Sequence, residues 1–390
     1  MHPPNRPAPD RHSASFYSRS AERNSQVRHP LPALLLDIKF VKAQTLKDKP
    51  DMNNLGFGKY FTDYMFIMDY DEGKGWHDAR IVPYGPLQMS PASTALHYGA
   101  EIFEGMKAYR TASGKIQLFR PYENAKRMNS SAERICLPQL NEDDFVQAVD
   151  ALVNIDREWV PTLPGTSLYV RPFMIGDDHT LGVHGVHHAM FMVILCPVGS
   201  YYKEGLNPVS IMIETEDERV AGKGGTGYTK CGGNYAASTR AGKKAEEKGY
   251  SQVLWLDCVY KKYIEEVGAM NVMFKINGQV VTPELDGSIL PGITRKSCIH
   301  ILKDKNIPVV EKKISLEELT QAVENGTLEE AWGTGTAAVI SPIGLLEVNG
   351  KKYQINNGKI GKISQMLYDE ITGIQSGKLE DKYNWTYEVK

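Results

Sequence analysis

Short apolar segments alternate with amphipathic ones along most of this chain, from about Leu55 onward. The longest apolar run covers residues 189–198, which is too short to cross a bilayer and therefore predicts a buried strand. Residues 166–175 predict a neighbouring strand. Residues 141–160 instead repeat apolar side chains at helical spacing behind Asn141, a residue type that caps helix N-termini, and so predict a helix.

The second half of the chain continues this alternation. A helix is predicted over residues 234–248, with Gly249 closing it, and Ser315-Leu316-Glu317-Glu318 has the spacing of a capping box at the start of another. Two further helices are predicted, one from about Thr294 and one over residues 363–374. Strands are predicted over residues 209–213, 252–256, 263–267 and 271–276.

A polar, glycine-bounded bridge at residues 199–205 separates the two halves. Domain boundaries fall in segments of this kind. We therefore predict a smaller N-terminal α/β domain over residues 36–203 and a larger C-terminal domain over residues 204–390. The strands are connected too locally for a purely doubly wound sheet, so the predicted fold class is mixed α/β.

Composition narrows the classes of function. The 390 residues suffice for two hydrophobic cores, and a formal net charge of −2 favours neither nucleic acid nor a membrane surface as a partner. The five cysteines are odd in number and widely spaced, without any Cys-x-x-Cys pair. This pattern supports neither a disulfide framework nor a metal site, and it fits a reducing compartment such as the cytoplasm.

Residues 1–35 differ from the rest, being rich in Pro, Ser and Arg and poor in acids. Three interpretations are open: a disordered tail, an extended start of translation, or an organelle transit peptide. Arg11, Ser13 and Arg19 are typical of a mitochondrial transit peptide, whereas Asp10 and Glu22 are not. We expect a disordered extension, and a cytoplasmic location ahead of a mitochondrial one.

One lysine stands in unusual surroundings, Thr229-Lys230-Cys231-Gly232-Gly233-Asn234-Tyr235. In a partly dry site a lysine amine loses its charge and can attack a carbonyl group, and the glycines allow the backbone to approach a ligand. Most lysines beside glycines are solvated, so other motifs must support this interpretation. Residues 222–227 have Gly-x-Gly-x-x-Gly spacing but lack the helix that directly follows a dinucleotide loop, and we interpret them as a loop over the site.

Further motifs occur in a fixed order along the chain. They are residues 96–107 (LHYGAEIFEGMK), residues 119–128 (FRPYENAKRM), Lys230 with Tyr235, residues 263–271 (YIEEVGAMN), residues 290–295 (LPGITR) and residues 333–338 (GTGTAA). Together they closely resemble the branched-chain amino acid aminotransferases, which are fold-type IV pyridoxal-phosphate enzymes. The resemblance begins at about Leu55, and it implies a two-domain fold with the active site at the domain interface, and a homodimer.

For the cofactor, pyridoxal 5'-phosphate, the resemblance implies a role for each matching residue. Lys230 is the Schiff-base lysine and moves a proton, and Tyr235 hydrogen-bonds the ring oxygen. Glu266 faces the pyridine nitrogen, where a carboxylate favours the protonated ring. Its neighbour Glu265 is on the opposite strand face and is expected to be an ordinary solvated acid. Phosphate contacts, two of them at a helix start, are implied for Arg127, Ile293, Thr294 and Thr336.

The resemblance also implies a substrate pocket. Tyr169 and Arg171 lie two apart on a strand and so share a face, where Arg171 would meet the distal carboxylate of glutamate or 2-oxoglutarate. The backbone at Thr336-Ala337-Ala338 would receive the substrate α-carboxylate. An apolar wall for the branched side chain would be formed by Phe57, Tyr98 and Phe103.

Two features depart from the family pattern. Ala269 replaces a threonine that in many members supports hydrogen bonds around the Schiff-base region. Ala338 and Ser341 occupy the positions of the paired thiols of mammalian members, so no redox switch of that kind is expected.

The reaction implied is ping-pong transamination of L-leucine, L-isoleucine and L-valine with 2-oxoglutarate. A D-amino acid transaminase or an aminodeoxychorismate lyase of the same fold is the alternative, against which Tyr169-Val170-Arg171 and the aromatic wall argue. A relative that only binds a ligand would lack the lysine or the pyridine-facing acid, and both are present.

Overall fold

The computed structural model describes residues 35–199, 201 and 206–390. Residues Leu35–Lys390 are grouped as one compact unit. The predicted N-terminal extension lies outside the described residues except for Leu35. Much of the predicted bridge lies outside them too, and with it the predicted boundary at residues 203–204. Among the described residues, no helix combines the length and apolar content that crossing a membrane requires.

The described residues contain strands and helices along their whole length. The strands are β1 (Lys39–Phe40), β2 (Tyr64–Asp71), β3 (Gly75–Pro83), β4 (Glu101–Phe103), β5 (Met106–Arg110), β6 (Ile116–Phe119), β7 (Ser167–Gly176), β8 (His188–Val198), β9 (Val209–Glu214), β10 (Gln252–Leu256), β11 (Ile264–Val267), β12 (Met270–Ile276), β13 (Gln279–Thr282), β14 (Val309–Glu311), β15 (Leu328–Gly335), β16 (Val339–Val348), β17 (Lys351–Gln354) and β18 (Thr386–Glu388). The α-helices are α1 (Thr94–Tyr98), α2 (Pro121–Arg134), α3 (Glu142–Ile155), α4 (Gly232–Ala237), α5 (Thr239–Glu247), α6 (Ile293–Asp304), α7 (Leu316–Glu324) and α8 (Lys362–Gln375).

The strands form two separate sheets. The first has the order β1-β3-β2-β8-β7-β5-β6-β18, with β4 paired to β7, and its pairings are antiparallel apart from β1 with β3. The predicted strands at residues 166–175 and 189–198 are confirmed as β7 and β8, which pair over ten residues from Ser167 opposite Val198. Helices α2 and α3 cover one face of this sheet, where Phe66, Phe145 and Phe191 meet in the core.

The predicted helix over residues 141–160 is shorter than its apolar pattern. Asn141 does cap it, because its side-chain oxygen accepts a hydrogen bond from the backbone N–H of Asp143 at 2.8 Å. The helix ends at Ile155, where the following residues make hydrogen bonds to distant parts of the chain. The Asp156 carboxylate accepts a hydrogen bond from the backbone N–H of Tyr64 at 3.2 Å. The indole of Trp159 donates to the Asp63 carboxylate at 2.7 Å.

The second sheet has the order β11-β10-β9-β16-β15-β12-β13-β14, with β17 on β16. An additional pairing of β11 with β12 closes six of these strands into a ring. Apolar side chains including Ile211, Leu254 and Phe274 form one buried cluster of this sheet, and α6 and α8 contribute to another. The mixture of parallel and antiparallel pairs agrees with the predicted mixed α/β class.

The helices of the second half mostly follow the prediction. Ser315 caps α7 by accepting a hydrogen bond from the backbone N–H of Glu318 at 3.0 Å. The prediction of a single helix over residues 234–248 is wrong, because two helices, α4 and α5, are separated at Ser238. The hydroxyl of Ser238 donates to the Tyr235 carbonyl at 2.7 Å, a local bond that competes with the regular helical ladder. Gly249, with φ of 81°, follows α5 as predicted.

Candidate active site

Lys230 lies immediately before α4, at a point where its backbone is fastened to the first sheet. Its carbonyl oxygen accepts a hydrogen bond from the backbone N–H of Phe103 at 2.9 Å. Its own N–H donates to the hydroxyl of Ser131 at 3.0 Å. Ile102 and Cys231 form an isolated antiparallel bridge beside these bonds. Two residues of β4 and one of α2 therefore fix the position from which the Lys230 side chain extends.

The Lys230 amine is poised to lose its proton at neutral pH. Burial lowers its pKa from 10.5 to about 7, and repulsion by Arg127, Arg171 and Arg219 adds to the shift, whereas Glu104 opposes it. The Nζ atom donates to the hydroxyl of Tyr235 at 2.7 Å. About half of such amines are uncharged at pH 7, so the group can act as a nucleophile or as a base.

Glu266 is a buried carboxylate with two donors. It is 2% exposed, and Arg219, 4% exposed, forms an ion pair with its Oε2 atom. The amide of Asn271 donates to Oε1 at 3.2 Å. Burial raises the pKa of Glu266, and the Arg219 guanidinium opposes that shift. A carboxylate held this way can still accept a hydrogen bond from a ligand, since its two oxygens offer about four acceptor positions.

Asn271 also connects this carboxylate to the start of α6. Its amide donates a second hydrogen bond, at 2.9 Å, to the carbonyl of Leu290. Gly292, the residue before α6, lies so close to Asn271 that a Cβ atom there would overlap the amide oxygen. The following residues, Ile293 and Thr294, begin a helix, where backbone N–H groups without helical acceptors favour an anion.

Arg127, the predicted phosphate contact on α2, is engaged within the protein. Its guanidinium binds the Glu104 carboxylate with two hydrogen bonds of 2.8 Å, and it donates to the Pro291 carbonyl at 3.1 Å. Glu104 is fully buried and also accepts from the amide of Asn124 at 2.8 Å. Arg127 therefore reaches the loop before α6, with Glu104 orienting it.

The predicted substrate-pocket residues form an aromatic and cationic group. Arg171 lies 4.7 Å from the Phe103 ring centre and donates to the Tyr169 hydroxyl at 3.2 Å. Phe57 packs edge-on against Tyr169 with ring centres 4.9 Å apart. The Nε atom of Arg171 is buried without a hydrogen-bond partner among the described residues. An unpaired buried donor of this kind suits an anionic ligand.

Tyr98, the third predicted wall residue, makes its hydrogen bond elsewhere. Its hydroxyl donates to the carbonyl of Leu181, and the residue is 43% exposed. Phe57 is 52% exposed as well, although it packs on Tyr169. The described contacts thus join Phe57, Phe103, Tyr169 and Arg171 into one group. Tyr98 instead contacts the segment around residue 181.

The predicted carboxylate-binding segment, residues 336–338, is the turn between β15 and β16. The Thr336 hydroxyl donates to the Gly105 carbonyl at 3.3 Å, and Lys107 Nζ donates to the Ala337 carbonyl at 2.7 Å. Ala338 and Ser341 are both buried. Ala269, exposed in the turn before β12, offers no side-chain hydrogen bond. Two bonds therefore join this turn to the segment that enters β5.

The expectation for Glu265 is wrong. The residue is 8% exposed, and its carboxyl lies 2.5 Å from the hydroxyl of Ser288, which also contacts Asp286 at 2.8 Å. Burial raises its pKa to about 7. The strand pattern placed Glu265 on the other face correctly, but residues 286–288 cover that face.

Sequence reasoning missed four polar residues that hold the predicted ones. Glu104 and Asn271 stand inside motifs that were singled out, and their position beside predicted site residues was the available signal. Glu101 also stands inside such a motif, but its partner, the Gly232 N–H, lies 131 residues away. Arg219 lies 47 residues from its partner Glu266, and no local spacing indicates either contact.

Comparisons with known proteins identify the family of this chain. Residues 101–346 match the family model described as amino-transferase class IV. A Bacillus subtilis protein, branched-chain-amino-acid aminotransferase 2, is 54% identical over 345 residues, covering 88% of this chain and 95% of that protein.

Solved structures of similar proteins share the fold. The branched-chain amino acid aminotransferase from Escherichia coli is 26% identical with a TM-score of 0.66, over 84% of this chain and 99% of the other. The branched-chain aminotransferase from the archaeon Thermoproteus uzoniensis, solved with norvaline, is 25% identical with a TM-score of 0.67, over 84% and 100%. This chain therefore belongs to the branched-chain amino acid aminotransferases of the class IV aminotransferase family.

Proposed function

We propose that this chain transfers the amino group of L-leucine, L-isoleucine and L-valine to 2-oxoglutarate, with pyridoxal 5'-phosphate bound at Lys230. The observation that carries the proposal is the Lys230 amine, whose pKa burial lowers to about 7 and whose Nζ lies 2.7 Å from the Tyr235 hydroxyl. Membership of the family supports the substrates. In the first half-reaction the amino acid leaves as its 2-oxo acid, and in the second 2-oxoglutarate leaves as glutamate.

The residues present fit this cofactor. Gly292 leaves space where any side chain would overlap Asn271, next to helix N–H groups that suit a phosphate. We assign the phosphate to Ile293, Thr294, Thr336 and Arg127. When bound, pyridoxal phosphate supplies an electron-withdrawing ring that stabilises negative charge at the substrate α-carbon.

The remaining roles follow from the contacts of each side chain. We assign Glu266 to the pyridine nitrogen, because Arg219 and Asn271 hold its carboxylate in place. We assign Tyr235 to the ring oxygen. Lys230 takes the proton that leaves the substrate α-carbon, since an amine with a pKa of about 7 can both accept and return a proton at neutral pH.

The same pocket must accept both an apolar side chain and a distal carboxylate. We assign the apolar contact to Phe57 and Phe103, which pack beside Tyr169 and Arg171. We assign the distal carboxylate to Arg171, whose Nε is buried without a described partner. We assign the substrate α-carboxylate to the turn at residues 336–338.

Two experiments test this function. Absorbance spectra of the purified holoenzyme, recorded before and after addition of L-leucine, should change, and then revert on addition of 2-oxoglutarate with release of glutamate. A response to D-alanine but not to L-leucine would instead indicate a D-amino acid transaminase, and release of pyruvate from aminodeoxychorismate would indicate the lyase.

The second experiment identifies the lysine. Borohydride reduction of the holoenzyme followed by peptide mapping should place the cofactor on Lys230. The Lys230→Ala variant should lose turnover while retaining some cofactor through its phosphate. Lys243→Ala, at an exposed lysine on α5, is the matched control and should remain active. Labelling of another lysine would contradict the assignment.

We also propose a homodimer in the cytoplasm. Leu96, Tyr98, Leu181 and Val183 are 62%, 43%, 65% and 82% exposed, and the bond from Tyr98 to Leu181 brings their segments together. Exposed apolar groups of this kind mark protein interfaces. Light scattering should give twice the chain mass, with Val183→Glu weakening association and Val259→Glu, also exposed, leaving it unchanged. The similarity to bacterial enzymes supports the proposed location in the cytoplasm.

A further inference from the structure

The turn that joins β15 to β16 contains a strained residue. Gly335 pairs with Val339 across this turn, and Val339 has φ of 62°. A branched side chain rarely adopts this left-handed conformation, because its Cβ substituents crowd the backbone. Strain of this kind persists only where surrounding contacts hold the backbone in place. Residues 336–338, which we assign to the substrate α-carboxylate, lie directly before Val339.

Two hydrogen bonds provide such contacts, one to Gly105, just before β5, and one from Lys107 within β5. The Thr336 hydroxyl donates to the Gly105 carbonyl at 3.3 Å, and the Lys107 ammonium donates to the Ala337 carbonyl at 2.7 Å. Gly105 packs closely against Tyr169, because a Cβ atom there would overlap the hydroxyl of Tyr169. The turn is therefore tied to the same residues that carry the predicted substrate pocket.

Lys107 is committed to this one contact. Its side chain is partly buried and forms no ion pair with any residue of the described chain. Burial lowers its pKa to about 8. A desolvated ammonium that faces a carbonyl and not a carboxylate is costly, and it needs that hydrogen bond. The Lys107 ammonium therefore stabilises the turn at residues 336–338 and does not take part in a surface ion pair.

The peptide group between Ala337 and Ala338 transmits this contact. No described peptide bond is cis, so the Ala337 carbonyl and the Ala338 N–H point in opposite directions from one plane. An ammonium bound to the carbonyl oxygen fixes that plane and polarises the N–H, which strengthens it as a donor. The N–H is thereby directed away from Lys107, so a carboxylate that meets it would lie on the opposite side of this peptide from the ammonium.

We propose that Lys107 is a positioning residue for the α-carboxylate, which holds the Ala337 carbonyl so that the Ala338 N–H meets the carboxylate common to every substrate. This inference rests on the proposed function. It predicts a pattern distinct from that of Arg171: loss of Lys107 weakens leucine and 2-oxoglutarate alike, because both carry an α-carboxylate.

Calorimetry with 4-methylvalerate, a carboxylate without an amino group, tests the contact directly on the holoenzyme. Lys107→Met should raise its dissociation constant about tenfold or more, the size of loss expected when a hydrogen bond to a charged group is weakened. Lys107→Arg, which keeps a charged donor, should recover most of the affinity. Lys115→Met, at a 59% exposed lysine in the same hairpin, is the control and should bind normally.

Kinetics separate positioning from a general structural role. Lys107→Met should raise KM for L-leucine and for 2-oxoglutarate by similar factors, while single-turnover reaction with 3-methylbutylamine, which is leucine without its carboxylate, should hardly change. Equal losses for leucine and the amine would overturn the proposal, as would unchanged 4-methylvalerate binding. The thermal midpoint and cofactor absorbance of each variant report misfolding. If Lys107→Met is misfolded, the comparison of Lys107→Arg with the wild-type enzyme replaces it as the test. Failure of the wild-type enzyme to react with leucine would instead refute the proposed function.

Discussion

Arg219 and Glu266 form an ion pair in the interior of the second sheet, beside the ring of Tyr235. Both are almost fully buried, and the Arg219 guanidinium lies 5.7 Å from the Tyr235 ring centre. A buried carboxylate is stable only when it is paired and hydrogen-bonded. Arg219 therefore favours the anionic form of Glu266 at a depth where burial raises the pKa of the carboxyl.

Replacing Glu266 by glutamine should slow the first half-reaction about 10²-fold, the lower end of typical acid–base contributions. A neutral amide cannot stabilise a proton on the ring nitrogen, whereas the phosphate contacts stay intact. Stopped-flow single turnover of the holoenzyme with L-leucine measures the rate, and equilibrium dialysis measures cofactor affinity, which should change much less.

The neighbouring Glu265 supplies a matched control. Its pKa of about 7 keeps it largely protonated in slightly acidic buffer, and glutamine resembles a protonated glutamate in shape. Glu265→Gln should therefore react at nearly the wild-type rate at pH 6.5. An unchanged rate in Glu266→Gln would remove Glu266 from the assigned role.

The rate at which the apoprotein captures pyridoxal phosphate should depend on pH through Lys230. Only the uncharged amine attacks a carbonyl, and burial lowers the Lys230 pKa from 10.5 to about 7. The rate should rise as pH increases through 7 and then level off. Absorbance changes after mixing would follow it. A rate that keeps rising toward pH 10 would mean that Lys230 is solvated like an ordinary lysine.

The two glycines after Lys230 should respond differently to alanine. The Gly232 N–H donates to the Glu101 carboxylate at 2.5 Å, and a Cβ atom at Gly232 would overlap that carboxylate. A Cβ atom at Gly233 meets open space within the same helix. Gly232→Ala should destabilise the protein by about 1–3 kcal/mol and reduce activity, as overpacking does.

Gly233→Ala should be neutral or stabilising by up to about 1 kcal/mol, because alanine favours helix. Denaturant unfolding of both variants would compare them directly. Equal stability would mean that Glu101 moves aside at no cost.

Arg171 should determine which second substrate the enzyme accepts. Arg171→Met should weaken 2-oxoglutarate and glutamate by roughly 30-fold or more, because an unpaired buried charge costs about 2–5 kcal/mol. L-Leucine should be affected far less, since its side chain is apolar. Steady-state kinetics of both half-reactions decide the matter, with Arg157→Met, an exposed arginine, as control. Equal losses for both substrates would make Arg171 structural.

The sequence predicted those parts of the fold that depend on local pattern. Largely apolar runs predicted β7 and β8, and side-chain caps predicted the first residues of α3 and α7 to within a residue or two. The break at Ser238 was not predicted, because a single hydroxyl that bonds the preceding turn leaves no trace in the apolar periodicity. The early end of α3 likewise depends on Asp156 meeting β2, a contact between distant parts of the chain.

The candidate site shows the same division. Motif order predicted Lys230, Tyr235 and Glu266 as site residues, and the structure brings Lys230 within hydrogen-bond distance of Tyr235. Burial of Glu265 could not be read from strand alternation, since alternation indicates the face of a side chain but not what covers that face. The pairing of Arg127 with Glu104 was missed for a related reason, because the two residues lie on different elements.

The strand β18 pairs with β6 at the edge of the first sheet, although every strand of the second sheet precedes it in the chain. During synthesis, the ribosome therefore delivers the whole second sheet before the first one can be completed. Domains commonly fold in the order in which they emerge. Here one edge of β6 must wait unpaired until β18 emerges, so the amino-terminal sheet gains its last strand only after every strand of the second sheet has left the ribosome.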